Sequence, residues 1–143
     1  MRTTLKKLFV PVYTKQWYTD LMLALPRMVA CIFLAIDFGG SKFPVPAWFI
    51  EDVGKLGFPV PVVWAWAAVI AEVFGGLMLV LGLGTRVAGF LVTCTMLVAI
   101  FLQKWGNEIW EMLPAMGYLW IGIYAMVLGS GRFGLDHLIA KKL

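Results

Sequence analysis

One acidic residue, Glu72, stands alone in an otherwise uncharged apolar run from Pro61 to Leu83. The run is long enough to cross a bilayer, because about 20 residues at ~1.5 Å each match a ~30 Å hydrocarbon core. Glu72 lies near the centre of the run, and a lone carboxylate at that depth costs ~2.5 kcal/mol or more. A chain that keeps it there must therefore pair it, protonate it or use it.

The composition places the rest of the chain in a membrane as well. Of its 143 residues, 62% are hydrophobic and 14% are charged, whereas soluble domains are about half apolar and about 25% charged. The length suits one compact bundle. The net charge of +4 does not indicate nucleic-acid binding, because the basic residues flank apolar spans. Contact with the lipid bilayer is the expected interaction.

Hydropathy predicts an all-α integral membrane protein, a four-transmembrane-helix bundle. Residues 1–19 carry apolar side chains at helical spacing between lysines. They are expected to form a cytoplasmic, interfacial amphipathic segment, which leaves 20–143 as the membrane domain. The first outer loop is expected to hold a short helix from Ala47 to Leu56, with Pro46 at its start. The predicted spans are about 20–38, 61–83, 87–102 and 113–128.

The distribution of basic residues predicts the orientation of the four spans. Both termini and the turn after the second span share one side, which carries eight lysines and arginines, while the other side carries three. Because positively charged residues stay inside, both termini are expected to be cytoplasmic.

Two ionisable residues, Arg27 and Glu72, lie within the apolar interior. The helical rise places them at depths about 7 Å apart, within reach of an extended arginine, so a guanidinium–carboxylate pair is expected. One interpretation is that this pair only locks the first two helices together. The other is that it forms a polar ligand or proton site in the bundle core.

Small and aromatic residues extend this candidate buried site. Gly75 and Gly76 share the helix face of Glu72, where they either admit a neighbouring helix closely or leave a cleft beside the carboxylate. Tyr118 and Tyr124 bring hydroxyl groups from the fourth span, and packing is the alternative interpretation for both of them.

A second predicted contact joins Arg86, after the turn that follows the second span, to Asp136 in the C-terminal tail. The sequence predicts no metal site, because His137 is its single histidine. The two cysteines lack the Cys-x-x-Cys spacing of a dithiol redox centre. No covalently bound cofactor is therefore expected, and the catalytic residues, if any, are unknown.

The motifs around Glu72 resemble the DoxX family. The specific stretch is a glutamate followed by two glycines and then Leu-Gly-Leu-x-Thr-Arg, which this chain carries within residues 71–88. The resemblance extends from about Arg27 to His137 through Pro26-Arg27, Gly39–Phe43, Leu56–Pro59, Gly131 and Leu135-Asp136. It implies a multi-pass four-helix protein of the bacterial cytoplasmic (inner) membrane. Relatives include a subunit of a thiosulfate:quinone oxidoreductase and proteins tied to oxidative-stress complexes.

Two functions are consistent with these residues and this resemblance. The first is a subunit of a quinone-linked redox system, in which Arg27 and Glu72 bind or protonate a quinone headgroup and any redox centre sits on a partner. The second is a non-enzymatic structural or assembly subunit of a larger bacterial envelope complex. Both imply other membrane or envelope subunits, or a homo-oligomer, as partners. The residues do not decide whether the chain is an enzyme.

Overall fold

The computed structural model describes Val12 and residues 16–142, and every regular element among them is helical. Four helices are long and apolar enough to cross a membrane, which confirms the predicted all-α membrane fold. The predicted amphipathic segment at residues 1–19 lies mostly outside the described residues. The four helices, named here the first to fourth spans, are Trp17–Lys42, Pro61–Leu81, Thr85–Gln103 and Ile109–Leu128.

Three of these spans change their helical pitch partway along. The α-helices are α1 (Trp17–Phe33), α2 (Ala47–Lys55), α3 (Pro61–Ile70), α4 (Gly76–Leu81), α5 (Thr85–Val98), α6 (Ile109–Leu128) and α7 (Leu135–Lys142). π-Helical turns follow α1 at Leu34–Gly39, join α3 to α4 at Ala71–Gly75, and follow α5 at Ala99–Gln103. Single π-helical turns inside longer helices are frequent at functional sites, and Glu72 lies in one of them.

The ends of the spans gather into two groups. Tail residue Asp136 donates its backbone N–H to the carbonyl of Gly82 at 2.9 Å, and Arg132 of the tail forms an ion pair with Asp20 of the first span. The start of the first span, the turn at residues 82–84 and the tail therefore share one end of the bundle, called the terminal end. The connections at residues 43–60 and 104–108 form the other, the loop end.

The short helix α2 folds back against the second span at the loop end. Its buried side chains Phe49 and Val53 pack against Ala65 and Val69 of α3. The residue at its N-cap is Pro46, whose fixed φ suits a helix start. The short helix that the sequence predicts in this loop is therefore present, and it covers the loop-end half of the second span.

The first span continues beyond its predicted end at Phe38, through Gly39 and Gly40 to Lys42. The predicted span ends at about residue 38, so both glycines would lie in the first outer loop. In the structure, Gly39 instead lets the first and second spans touch, since a Cβ atom there would lie 2.7 Å from Val73 Cγ2 and 2.9 Å from the Val73 backbone nitrogen. This contact keeps the helix intact and carries Lys42 into the bundle.

Replacing Gly39 by alanine should destabilise the bundle, because the added methyl group would lie 2.7 Å from Val73 Cγ2 and 2.9 Å from the Val73 backbone nitrogen, which cannot move aside. We expect a loss of about 1–3 kcal/mol, the usual range for overpacking, measured as a lower unfolding temperature in mild detergent. Gly117→Ala is the control, since a Cβ at Gly117 has nothing within 4 Å. That variant should be neutral or slightly stabilised. Equal unfolding temperatures for Gly39→Ala and the wild type would contradict this packing.

Candidate functional site

The partner of Glu72 is Lys42, at the end of the first span. Lys42 Nζ donates to Glu72 Oε1 at 3.0 Å and to Oε2 at 2.7 Å. The Glu72 side chain is only 6% exposed and that of Lys42 is 19% exposed. The Nζ atom also lies 5.1 Å from the centre of the Phe49 ring, in a cation–π contact. The costly carboxylate is thus neutralised by a lysine that enters from the loop end.

The expected Arg27–Glu72 pair is wrong, and the direction of the side chains explains why. In a helix each Cα–Cβ bond tilts toward the N-terminus. Lys42 and Glu72 lie on antiparallel spans and therefore point toward each other. Arg27, on the same span as Lys42 but nearer its start, points away from Glu72 and toward the terminal end.

The guanidinium of Arg27 lies near the turn that follows the second span. Its Nη1 would lie 3.3 Å from a Cβ at Gly82, and the helical rise puts Gly82 about 15 Å beyond Glu72. Nη2 donates to the carbonyl of Phe133 at 3.4 Å, and Nη1 has no hydrogen-bond partner among the described residues. Arg27 therefore joins the first span to the tail.

Two π-helical turns meet at the Lys42–Glu72 ion pair. The turn Leu34–Gly39 of the first span packs directly on Ala71–Gly75 of the second, and a Cβ at Gly39 would lie 3.1 Å from Glu72 Cβ. A π-helical turn inserts one extra residue and shifts the side chains that follow to a new face. We infer that the two turns set the angular positions at which Lys42 and Glu72 converge.

Gly75 and Gly76 act as contact points between helices rather than as walls of a cleft. A Cβ at Gly76 would lie 3.0 Å from Ala35 Cβ of the first span, and one at Gly75 would lie 3.2 Å from Val92 Cγ2 of the third. The sequence left two interpretations open for these glycines. The structure agrees with the first, in which they allow neighbouring helices to approach closely.

A cavity of about 420 Å³ lies on the loop-end side of this ion pair. Named here the central cavity, it is bounded by all four spans and by α2. Small side chains line one wall, where Ala67, Ala68 and Ala71 recur at helical spacing on the second span. The polar groups in its lining include Lys42 and Glu72. The aromatic side chains in its lining are Phe38, Phe49, Phe58, Trp64 and Tyr118.

The two tyrosines of the candidate site lie in different places. Tyr118 lines the central cavity, and its ring meets that of Phe38 edge-on with the ring centres 5.3 Å apart. Tyr124 lies near the terminal end, where its hydroxyl donates to the carbonyl of Leu23 at 3.0 Å. The structure therefore groups Tyr118 with Glu72, and Tyr124 with the part of the first span that carries Arg27.

At the terminal end, Asp136 of the predicted Arg86–Asp136 pair binds the turn before the third span, and its pairing with Arg86 stays a prediction. The Asp136 carboxylate accepts from the backbone N–H of Gly84 at 2.6 Å and from that of Thr85 at 2.9 Å. It thereby caps the start of the third span, where unpaired N–H groups and the helix dipole favour an anion. Arg86 follows in the same turn. Asp136 thus fastens the tail to the turn through backbone amides.

The sequence reasoning missed Lys42 and Phe49. Lys42 lies beyond the predicted end of the first span at about residue 38 and is therefore counted with the outer loop in the sequence-based prediction. The signal available was that a lysine at the C-terminal end of a span points back into the bundle.

The two cysteines are both free, with Cys31 buried and Cys94 exposed. Among the described residues, no group of three or more His, Cys, Asp or Glu is placed to hold a metal ion.

Four apolar spans around a buried ion pair and an apolar cavity define a multi-pass membrane protein. The sequence model of the DoxX family matches residues 22–105. This match covers more than half of the 143 residues, including Arg27, Lys42 and Glu72, and the chain belongs to the DoxX family. Comparison with curated proteins and with solved structures gives no match.

Replacing Asp136 by alanine should loosen the tail and uncap the third span. The loss of two hydrogen bonds to a buried carboxylate should cost about 2 kcal/mol, seen as a lower unfolding temperature in detergent. Trypsin should also cleave the tail faster at Arg132. Asp52→Ala, which removes an exposed Lys55–Asp52 pair, should change neither quantity. Wild-type stability and cleavage in Asp136→Ala would show that the cap contributes nothing.

Proposed function

We propose that this protein binds a membrane quinone in the central cavity, as a subunit of a quinone-linked redox system in the bacterial cytoplasmic membrane. The observation that carries the proposal is the Lys42–Glu72 ion pair in the wall of an apolar cavity of about 420 Å³. A buried ion pair is a weak source of stability, because desolvation offsets the attraction between the charges. Its position facing the cavity is what favours a ligand role.

The size and lining of the central cavity suit a flat ring. Sites for small molecules occupy roughly 300–1,000 Å³ and combine apolar walls with a few polar groups. The alanines of the second span leave a smooth wall, and Phe49 and Tyr118 present rings that favour edge-on or offset contact with another ring. A substituted benzoquinone or naphthoquinone head has this shape.

The ion pair supplies the polar chemistry that a quinone head needs. A lysine ammonium has three N–H donors, and the Glu72 carboxylate takes two contacts at 2.7 and 3.0 Å. The remaining donor is available to a quinone carbonyl oxygen. Reduction of a quinone to a quinol consumes two electrons and two protons. In this proposal the two electrons come from a partner protein and the two protons come from the aqueous phase. The Lys42 ammonium is the proton-carrying group beside the carbonyl, and the ionised Glu72 holds it in place.

A structural or assembly role in a larger envelope complex is the second candidate. It is favoured by the tight packing of the first span on the second, through Gly39 and Gly76 on either side of the ion pair. In that case the ion pair joins two spans and the cavity has no ligand. The two functions make opposite predictions for a variant that keeps the packing and removes the charges.

The charge distribution supports a cytoplasmic terminal end. Arg86, Arg132, Lys141 and Lys142 lie at that end among the described residues, while Lys42 points into the bundle and no longer counts for the loop end. The positive-inside tendency then favours cytoplasmic termini more strongly than the sequence count does.

The orientation can be tested with the variant Lys142→Cys. In intact cells the new cysteine should not react with a membrane-impermeant maleimide, and it should react once the cytoplasmic face of the membrane is made accessible.

Removing one charge of the ion pair should affect stability, and removing both should separate stability from binding. Lys42→Met leaves Glu72 buried without a partner, which should cost about 3 kcal/mol or prevent folding. The double variant Lys42→Met/Glu72→Leu replaces both groups by apolar side chains of similar size, so its stability should return to near the wild-type value. Its binding of a radiolabelled quinone in lipid nanodiscs should be at least about ten-fold weaker.

The matched control is Lys55→Met, which removes one partner of an exposed pair outside the cavity and should leave both stability and binding unchanged. A double variant that is stable and binds quinone like the wild type would eliminate the proposed role of the ion pair. A wild-type protein that binds no quinone but copurifies with envelope proteins, as the stable double variant also does, would favour the assembly function.

A further inference from the structure

We propose that the central cavity opens sideways into the lipid between the second and third spans. Its ligand is then a tailed lipid, with its head at Lys42 and its tail leaving through this gap. The proposal rests on the quinone-binding function above and adds the route of entry and the class of ligand.

The first observation is that cavity-lining residues of both spans are exposed on the side of the bundle. Ala67 of the second span and Leu91, Cys94 and Val98 of the third all line the central cavity, and all four are exposed. The wall of the cavity between these two spans is therefore made of side chains that no neighbouring element buries. We call the gap between them the lateral opening.

The second observation is that the second and third spans are in contact near the terminal end but have other partners near the loop end. Close to their connecting turn they pack tightly, with Gly75 against Val92. Toward the loop end, Ala65 and Val69 of the second span turn to α2 instead. The third span packs mainly on the fourth. The two spans are thus held by different neighbours where the lateral opening lies.

The other sides of the cavity are better closed. The rings of Phe38 and Tyr118 meet edge-on between the first and fourth spans. Buried Phe49 and Val53 of α2 cover the second span from the loop end. Aromatic rings thus stand at these positions, whereas the four residues that border the lateral opening carry none.

The depth of the lateral opening selects the ligand. Cys94 lies midway between the ends of the third span at Thr85 and Gln103, roughly 13 Å from either end along the helix. This position falls within the ~30 Å hydrocarbon layer. A molecule that enters here must already be dissolved in lipid. Its hydrocarbon tail can stay in the opening without becoming exposed to water, so the bound state carries no hydrophobic penalty.

The native cysteines provide the test. Cys94 borders the lateral opening, while Cys31 is fully buried and serves as an internal reference. The rate at which N-ethylmaleimide alkylates Cys94 is measured by peptide mass spectrometry on the protein in nanodiscs. The measurement is repeated with added ubiquinone and with an added benzoquinone that lacks a tail and is fully substituted, so that it does not add to thiols. Both quinones should slow the alkylation of Cys94 in the wild type.

Filling the opening should discriminate between the two quinones. In Ala67→Trp at equilibrium, ubiquinone should need an about ten-fold higher concentration to protect Cys94, because its tail has no room in the opening. The tail-less quinone, whose bound form leaves the opening empty, should protect as in the wild type. The matched control is Val62→Trp, on an exposed position of the same helix outside the cavity lining. It should respond to both quinones like the wild type.

Two results would overturn the proposal, and they differ in what they leave standing. If neither quinone protects Cys94 in the wild type and no labelled quinone binds, quinone binding itself fails. If Ala67→Trp still responds to both quinones like the wild type, the lateral opening fails and the cavity proposal stands. Should the new tryptophan shield Cys94 or impair folding, Leu91→Trp with direct binding of labelled ubiquinone gives the same comparison.

Discussion

The ion pair between Lys42 and Glu72, buried near the middle of the second span, is the interaction on which the rest of the structure depends. A carboxylate at that depth is tolerated only with a partner, and the partner reaches it from the end of the first span at 2.7 and 3.0 Å. This requirement accounts for a first span that continues through two glycines. It also accounts for the close contact of the two spans at Gly39.

The ion pair, the π-helical turns and the central cavity form one arrangement. The turns at Leu34–Gly39 and Ala71–Gly75 meet at Glu72, and α2 folds back to place Phe49 against the lysine. A chain that needed only to join two helices could do so with apolar side chains at lower desolvation cost. The charges facing an apolar cavity are the strongest argument for a ligand. At the terminal end, Arg27 and Asp136 fasten the tail.

Hydropathy and turn residues predicted most of the fold, because long apolar runs and the Pro46 helix start report directly on local structure. They did not predict the partner of Glu72. Depth along a helix pairs Arg27 with Glu72, whereas the direction in which each side chain leaves its helix decides which of them meet. Lys42 lies beyond the predicted end of the first span, and the tertiary contact of Gly39 with Val73 accompanies the continuation of that helix. The cavity arises from the packing of five elements, which no local pattern reports.

The central claim is that Glu72 is neutralised by Lys42 within the bilayer. Solid-state NMR on the protein in lipid bilayers, with labelled glutamate carboxylates, lysine side-chain nitrogens and arginine guanidinium nitrogens, tests it most directly. We expect a strong dipolar coupling between the Glu72 carboxylate carbon and Lys42 Nζ, and its disappearance in Lys42→Met. A coupling of that carbon to the Arg27 guanidinium, or no coupling to either cation, would contradict it.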